Sequence, residues 1–213
     1  MKYEAVIFDL DGVICFTDKY HYKAWKVVAD KLGIYFDEKI NDRLRGVSRM
    51  ESFEIILEKY DGEMSQEEKE KWVTEKNTIY KELLKDMSED DLSSEVKETL
   101  DRLREQGLAL AIGSSSKNAK FILGQLGLGN YFDAISDGNN IKRSKPDPEV
   151  FTKAAQFINK PVEKCLVVED AKAGVQAAKS GNMDCAFVGE NKEDGIQADY
   201  CLDRFAQLLD VVK

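Results

Sequence analysis

Apolar and polar positions divide this chain into two regimes. Ala5-Val6-Ile7-Phe8 is a short unbroken apolar run, closed by Asp9-Leu10-Asp11-Gly12. A run of that length, bounded by acid and glycine, predicts a strand buried on both faces, as in a parallel sheet. From about Asp18 to Asp91 the chain becomes helical, highly charged and nearly free of strand signals. Lys19 to Leu32 carries Tyr22, Trp25, Val28 and Ala29 at helical spacing, and Gly33 closes it. Arg49 to Lys59 repeats the pattern with Phe53, Ile56 and Leu57, and Ser65 with Glu68 forms a capping box for a long helix ending near Met87.

From Ser93 onward helices and strands alternate. The expected helices cover about Glu95 to Gln106, Asn118 to Leu126, Pro148 to Ile158 and Ala171 to Ser180, with a final one capped by Asp203. Between them lie strands at Leu108 to Ile112, Ala134 to Ser136, Cys165 to Val168 and Cys185 to Val188. Alternation of this kind implies an α/β fold with a doubly wound parallel-sheet (Rossmann-like) core. The first strand must rejoin the others across the helical interval, so that interval is an inserted helical cap domain. The boundaries are 1–15 and 93–213 for the core, and 16–92 for the cap. Ligands of such sheets sit outside the carboxyl ends of the strands. The unusual polar residues, Asp9 and Asp11, Ser114, and Glu169 with Asp170, all fall at that edge.

Composition changes the picture mainly by exclusion. A net charge of −9 over 213 residues leaves no basic face for nucleic acid or an acidic membrane. A few local Lys and Arg still allow a small anionic substrate. Met1-Lys2 leads straight into a strand, so no signal peptide is expected, and no apolar run approaches a membrane span. Cys15, Cys165, Cys185 and Cys201 show no close pairing, which fits free thiols in a reduced, cytoplasmic protein. Nothing advertises a dimer face, and a monomer is expected.

Side chains two apart on a strand point the same way, so Asp9 and Asp11 converge where Gly12 lets the chain turn. Carboxylates held together need a cation or a proton between them. With Glu169 and Asp170 at the same edge, an oxygen-seeking dication such as Mg²⁺ answers the repulsion, held by Asp9, Asp11, Glu169 and Asp170. The competing reading makes the first loop an ordinary Asp/Gly turn and Asp170 a helix N-cap. Ser114-Ser115-Ser116-Lys117-Asn118 offers hydroxyls, helix-start amides and one cation, a cradle for phosphate. Its plainer reading is a serine cap. Lys145, before Pro146-Asp147-Pro148, is either a solvated surface lysine or a fixed ammonium. An Asp nucleophile splits one difficult phosphoryl displacement into two easier ones. In that scheme Asp9 attacks, Asp11 handles the proton, Ser114 and Lys145 hold the oxygens, and Glu169 and Asp170 hold the metal.

The Asp9-x-Asp11 strand, the Ser114 strand end, Lys145 and the Glu169-Asp170 pair together resemble the four motifs of the haloacid dehalogenase superfamily. Asp9-Leu10-Asp11-Gly12-Val13-Ile14, Thr17 with Tyr20-His21, Ala24-Trp25-Lys26, Gly46-Val47-Ser48-Arg49 with Ser52, and Lys76-Asn77 narrow the likeness to the β-phosphoglucomutase subfamily. The resemblance implies interconversion of β-glucose 1-phosphate and glucose 6-phosphate through a bisphosphate, with Asp9 phosphorylated and Asp11 as acid/base. It implies Thr17 and His21 in a hinge that couples cap closure to Asp11. Gly46, Val47, Ser48, Arg49, Ser52 and Lys76 of the cap, and Ser115, Ser116, Lys117 and Asn118 of the core, become substrate contacts. Two departures touch the hinge: Cys15-Phe16 stands where a polar pair is common, and Ser93-Ser94-Glu95 replaces a Pro-Gly.

A sugar-phosphate phosphatase shares the whole core apparatus, and a catalytically silent phosphate-binding protein is a third reading. A mutase must in addition grip a bisphosphate at the end that is not reacting. Arg49, with Ser116, Lys117 and Asn118, is the candidate grip, because a guanidinium fork pairs two phosphate oxygens. Each cap candidate has a plainer role. Arg49 can be a helix-surface cation, Lys76 sits in a charged run from Glu67 to Glu75, His21 is a lone histidine, and Trp25 reads first as cap core or a cap–core wedge.

Overall fold

The computed structural model describes residues 2–44, 47–189 and 197–213. Six parallel strands form one sheet in the order β3-β2-β1-β4-β5-β6. They are β1 (Ala5–Phe8), β2 (Ala109–Gly113), β3 (Ala134–Ser136), β4 (Cys165–Glu169), β5 (Asp184–Val188) and β6 (Tyr200–Leu202). β1 lies in the middle, between β2 and β4, and all four of its residues are buried. That is why its sequence is continuously apolar rather than alternating.

Alternate β1 side chains serve opposite faces. Val6 and Phe8 join a cluster with Leu100 and Leu103 of α5 (Ser94–Glu105), Ile122 and Leu123 of α6 (Ala119–Gln125), and Leu208 of α9 (Leu208–Val211). Ala5 and Ile7 join a second cluster with Val150 and Phe151 of α7 (Glu149–Phe157) and Val175 of α8 (Lys172–Ser180). The sheet is therefore wound on both faces, as the alternation predicted.

Between β1 and β2 run α1 (Asp18–Leu32), α2 (Glu38–Asp42), α3 (Arg49–Leu57) and α4 (Gln66–Leu84). They enclose an apolar cluster of their own, in which the Trp25 and Phe53 rings stack 5.8 Å apart. Tyr20, Ala24, Tyr80 and Leu84 instead pack into the sheet's own core. Gly33 ends α1 in the left-handed conformation, and Ser65 with Glu68 makes the expected capping box on α4.

Four details differ from the sequence reading. α2 is a five-residue helix started by the Asp37 side chain, too short to show a period. β6 is a three-residue edge strand that the sequence reading does not place. Asp203 does not cap the last helix: Gln207 Oε1 accepts from the Asp203 and Arg204 amides across a 3-10 turn that precedes α9. α4 ends at Leu84 rather than Met87, and Gln125 Nε2 donates to the carbonyls of Leu84, Lys85 and Met87 at 3.4, 3.4 and 3.1 Å. All four cysteines are free. Among the described residues no helix is long and apolar enough to cross a membrane.

Candidate active site

Register brings the acids together. Phe8 pairs with Ile112 on one side and Val168 on the other. The next residue, Asp9, donates its amide to the Val168 carbonyl at 2.9 Å, beside Glu169 at the end of β4. Ser114 follows β2, and its amide donates to Ser136 O at 3.0 Å. Asp9, Ser114 and Glu169 thus leave the sheet at one edge. Two glycines make room for them. Gly12 has φ +90°, and a Cβ there would stand 2.0 Å from Asp170 Oδ2. A Cβ on Gly174 of α8 would stand 1.8 Å from Glu169 Oε1. The requirement for glycine is therefore steric at both sites and conformational at the first.

Lys145 is 1% exposed, which removes its reading as a surface lysine. Its Nζ donates to Asp9 Oδ1 at 2.5 Å and to Glu169 Oε1 at 2.6 Å. Glu169 Oε2 accepts from the amides of Asp170 and Ala171, each at 2.8 Å. Glu169 is thus the side chain that serves the start of α8. The cap position itself is Ala171, and Asp170 is not the cap that its sequence position suggested. Burial pushes the Asp9 carboxyl up to about 7; Glu169 and Asp11 add to the rise and the Lys145 ammonium opposes it. Burial also raises Asp11, against the hydrogen bond that Thr17 Oγ1 donates to Asp11 Oδ1. Burial works against the Lys145 ammonium, yet Asp9 and Glu169 outweigh it and hold the charge.

One carboxylate oxygen each from Asp9, Glu169 and Asp170 lies within 4.8 Å of the others. Three hard oxygens at that spacing, two of them on buried residues, fit a divalent cation. The Asp11 carboxylate is not in this trio and faces Thr17 instead.

The opposite wall, built by the helical insertion, is cationic. Lys76 of α4 is 1% exposed, so it is no part of the solvated acidic face around it in sequence. Its Nζ lies 2.8 Å from His21 Nδ1, over the rings of Tyr80 and Trp25. Burial, reinforced by Arg49, lowers Lys76 well below the ordinary lysine range. Burial also lowers Arg49, and burial with the Lys76 and Arg49 charges drives His21 well down, so its imidazole stays neutral. Neither Lys76 nor Arg49 forms an ion pair with a described carboxylate. Tyr80 was not anticipated, although its place four residues after Lys76 on a helix is the spacing that would have found it.

The serine loop is more self-contained than its sequence suggested. Ser114 Oγ accepts from the Ser116 amide at 3.1 Å and Ser116 Oγ from the Asn118 amide at 3.2 Å. Those amides are occupied, leaving the hydroxyl hydrogens as donors. Ser115 Oγ is buried without a partner, and Lys117 is exposed. Asn118 precedes α6 and does not cap it with its side chain.

Between the acidic and cationic walls lies a cavity of about 580 Å³. The candidate residues among those described all line it, except Thr17, which stands behind Asp11 and is fully buried. Ser48 also forms a capping box with Glu51 at the start of α3, and Trp25 serves both the cavity and the insertion's core. Gly46 lies outside the described residues. Asn41, Met50 and Lys142 line the cavity without any motif to announce them.

The haloacid dehalogenase-like hydrolase family model matches residues 3–182. Beta-phosphoglucomutase of Bacillus subtilis is 38% identical over 89% of this chain and 84% of its own length. A phosphorylated carbohydrates phosphatase of Thermotoga maritima is 34% identical, over 85% of this chain and 82% of its own. The crystal structure of beta-phosphoglucomutase from Clostridium difficile superposes with a TM-score of 0.90 at 40% identity, covering 97% of this chain and 93% of that one.

Proposed function

The chain belongs to the haloacid dehalogenase-like hydrolases, and on that footing we propose that it is a Mg²⁺-dependent β-phosphoglucomutase, interconverting β-glucose 1-phosphate and glucose 6-phosphate through β-glucose 1,6-bisphosphate. One observation carries the choice: a single cavity has a nucleophilic acid on one wall and two carboxylate-free cations, Arg49 and Lys76, on the other. A bisphosphate has an anion for each wall. A phosphatase that holds one phosphate at the acidic wall has less use for the second.

In this reading an Asp9 oxygen attacks phosphorus, and the P–O bond to the sugar breaks. The raised Asp11, held by Thr17, gives its proton to the departing sugar oxygen. The bisphosphate itself forms when Asp11 takes the proton from the free 6-hydroxyl of β-glucose 1-phosphate, which attacks the aspartyl phosphate and releases Asp9. Lys145, fixed by its two ion pairs, and the Ser114 hydroxyl present positive charge to the moving oxygens. Asp9, Glu169 and Asp170 would hold a divalent ion, which would supply further positive charge to the transferring phosphoryl group. The helical insertion excludes water from the acyl phosphate, so that the sugar rather than water accepts the group. The resulting substrate is a small sugar phosphate handled by a cytoplasmic monomer without nucleic acid or membrane.

The assay supplies β-glucose 1-phosphate, Mg²⁺ and a trace of bisphosphate, and follows glucose 6-phosphate against free phosphate. Glucose 6-phosphate should dominate. Free phosphate as the main product would make the chain a sugar-phosphate phosphatase, and no turnover of any phosphomonoester would make it a binding protein.

A further inference from the structure

Asn77 lies on α4 next to Lys76, half-buried, and it does not line the cavity. Its Oδ1 accepts a 2.9 Å hydrogen bond from Nδ2 of Asn118. Asn118 belongs to the sheet side of the molecule, is 5% exposed and does line the cavity. The bond therefore crosses from the helical insertion to the serine loop, directly behind a cavity wall.

An asparagine amide nitrogen carries two hydrogens. One is taken by Asn77. The Asn118 side chain makes no cap bond to α6, so nothing local fixes it. With the first hydrogen anchored, the plane of the amide is set and the second hydrogen has one direction. Asn77 is also a costly choice for its place. Asparagine is a poorer helix former than alanine, and position 77 is an interior position of a 19-residue helix. A residue kept there against helix propensity is explained by what its side chain touches.

We infer that Asn77 is a positioning residue for the far phosphate: it fixes the Asn118 amide so that the free N–H points at the phosphate that is not reacting. The inference rests on the mutase reading, because that reaction alone calls for a site that holds the phosphate at the end of the sugar that is not reacting. It also ties occupancy of the far site to the insertion. A phosphate oxygen bound by Asn118 is bonded, through one amide, to α4. Losing Asn77 releases the amide and removes that tie without removing any group that touches ligand.

The test measures the affinity of glucose 1,6-bisphosphate by calorimetry, on the full Mg²⁺-loaded chain carrying Asp9→Asn so that no phosphoryl group moves. Asn77→Ala improves helix propensity, so folding is not put at risk. Asn77→Ala and Asn118→Ala should each weaken binding about tenfold, and the double substitution should be no weaker than either alone. Additive losses, or unaltered affinity in Asn77→Ala while Asn118→Ala and Arg49→Ala both weaken binding, would overturn the positioning role and leave the second phosphate site standing. Unaltered affinity in both Arg49→Ala and Asn118→Ala would show that no second site exists, and the mutase reading would fall together with the role of Asn77. A purely structural asparagine would shift the melting temperature and leave the coupling between the two positions at zero.

Discussion

The two walls of the cavity settle their charges in different ways. On the sheet side the buried acids and the buried lysine are partnered: Lys145 bridges Asp9 and Glu169, Glu169 also takes two backbone amides, and Asp11 takes the Thr17 hydroxyl. On the insertion side Lys76 is buried and Arg49 half-buried, neither with a described carboxylate in ion-pair reach, and the neighbour offered to Lys76 is a neutral imidazole. A paired site is complete before ligand arrives. An unpaired one is incomplete, and an anionic ligand completes it. The sheet side is thus suited to the chemistry, and the insertion side to recognising what the chemistry acts on.

Breaking the sheet side should have the larger consequences. Asp9→Asn removes the proposed nucleophile, and kcat/KM should fall by at least about 10⁴-fold while the melting curve stays in place; retained turnover would refute phosphorylation at this residue. Lys145→Met leaves two buried carboxylates unpaired and should cost about 3–5 kcal/mol in urea denaturation. Gly174→Ala drives a methyl group into Glu169 Oε1 and should raise the Mg²⁺ concentration needed for half-maximal activity by about 10–100-fold. An unaltered Mg²⁺ titration would remove Glu169 from the metal site.

The insertion side should respond with the opposite sign. Lys76→Met removes a buried cation that has no carboxylate partner, so unfolding free energy should rise by about 1–2 kcal/mol while substrate affinity falls. A loss of stability instead would show that Lys76 is paired after all, and the contrast between the walls would disappear. The smallest effect concerns His21, the single histidine. Burial, then Lys76 and Arg49, hold its folded-state pKa below the ordinary value of 6.5. Near pH 6.5 the unfolded chain binds a proton that the folded chain refuses. The stability His21 contributes is therefore full above pH 6.5 and is lost as pH falls below it. Proton NMR should find the ring signals of His21 unchanged between pH 6 and 8, whereas a normal titration there would place it in a solvated setting.

Much of this was legible in sequence for identifiable reasons. β1 showed itself because a central parallel strand has no solvent face to encode, and Asp9-x-Asp11 showed itself because a two-residue period fixes a common direction. The helices with caps, α1 and α4, were found to within a residue at their starts. α2 escaped because five residues hold too little pattern; β6 also escaped, although the equally short β3 was found. At the site, residue type was readable and burial was not. Lys76 sits among Glu67, Glu68, Glu70 and Glu75, and a single inward position is invisible in so charged a run. Lys145 had no periodic context at all. Asn77 required the partner across the seam, which no local spacing contains.

The amide of Gln125 bears on how the insertion is seated. Its nitrogen is shared among three carbonyls at the end of α4, none closer than 3.1 Å and none farther than 3.4 Å. The amide nitrogen has two hydrogens for these three acceptors, so the bond that ties α6 to the end of α4 is shared along the turn and assigned to no single carbonyl.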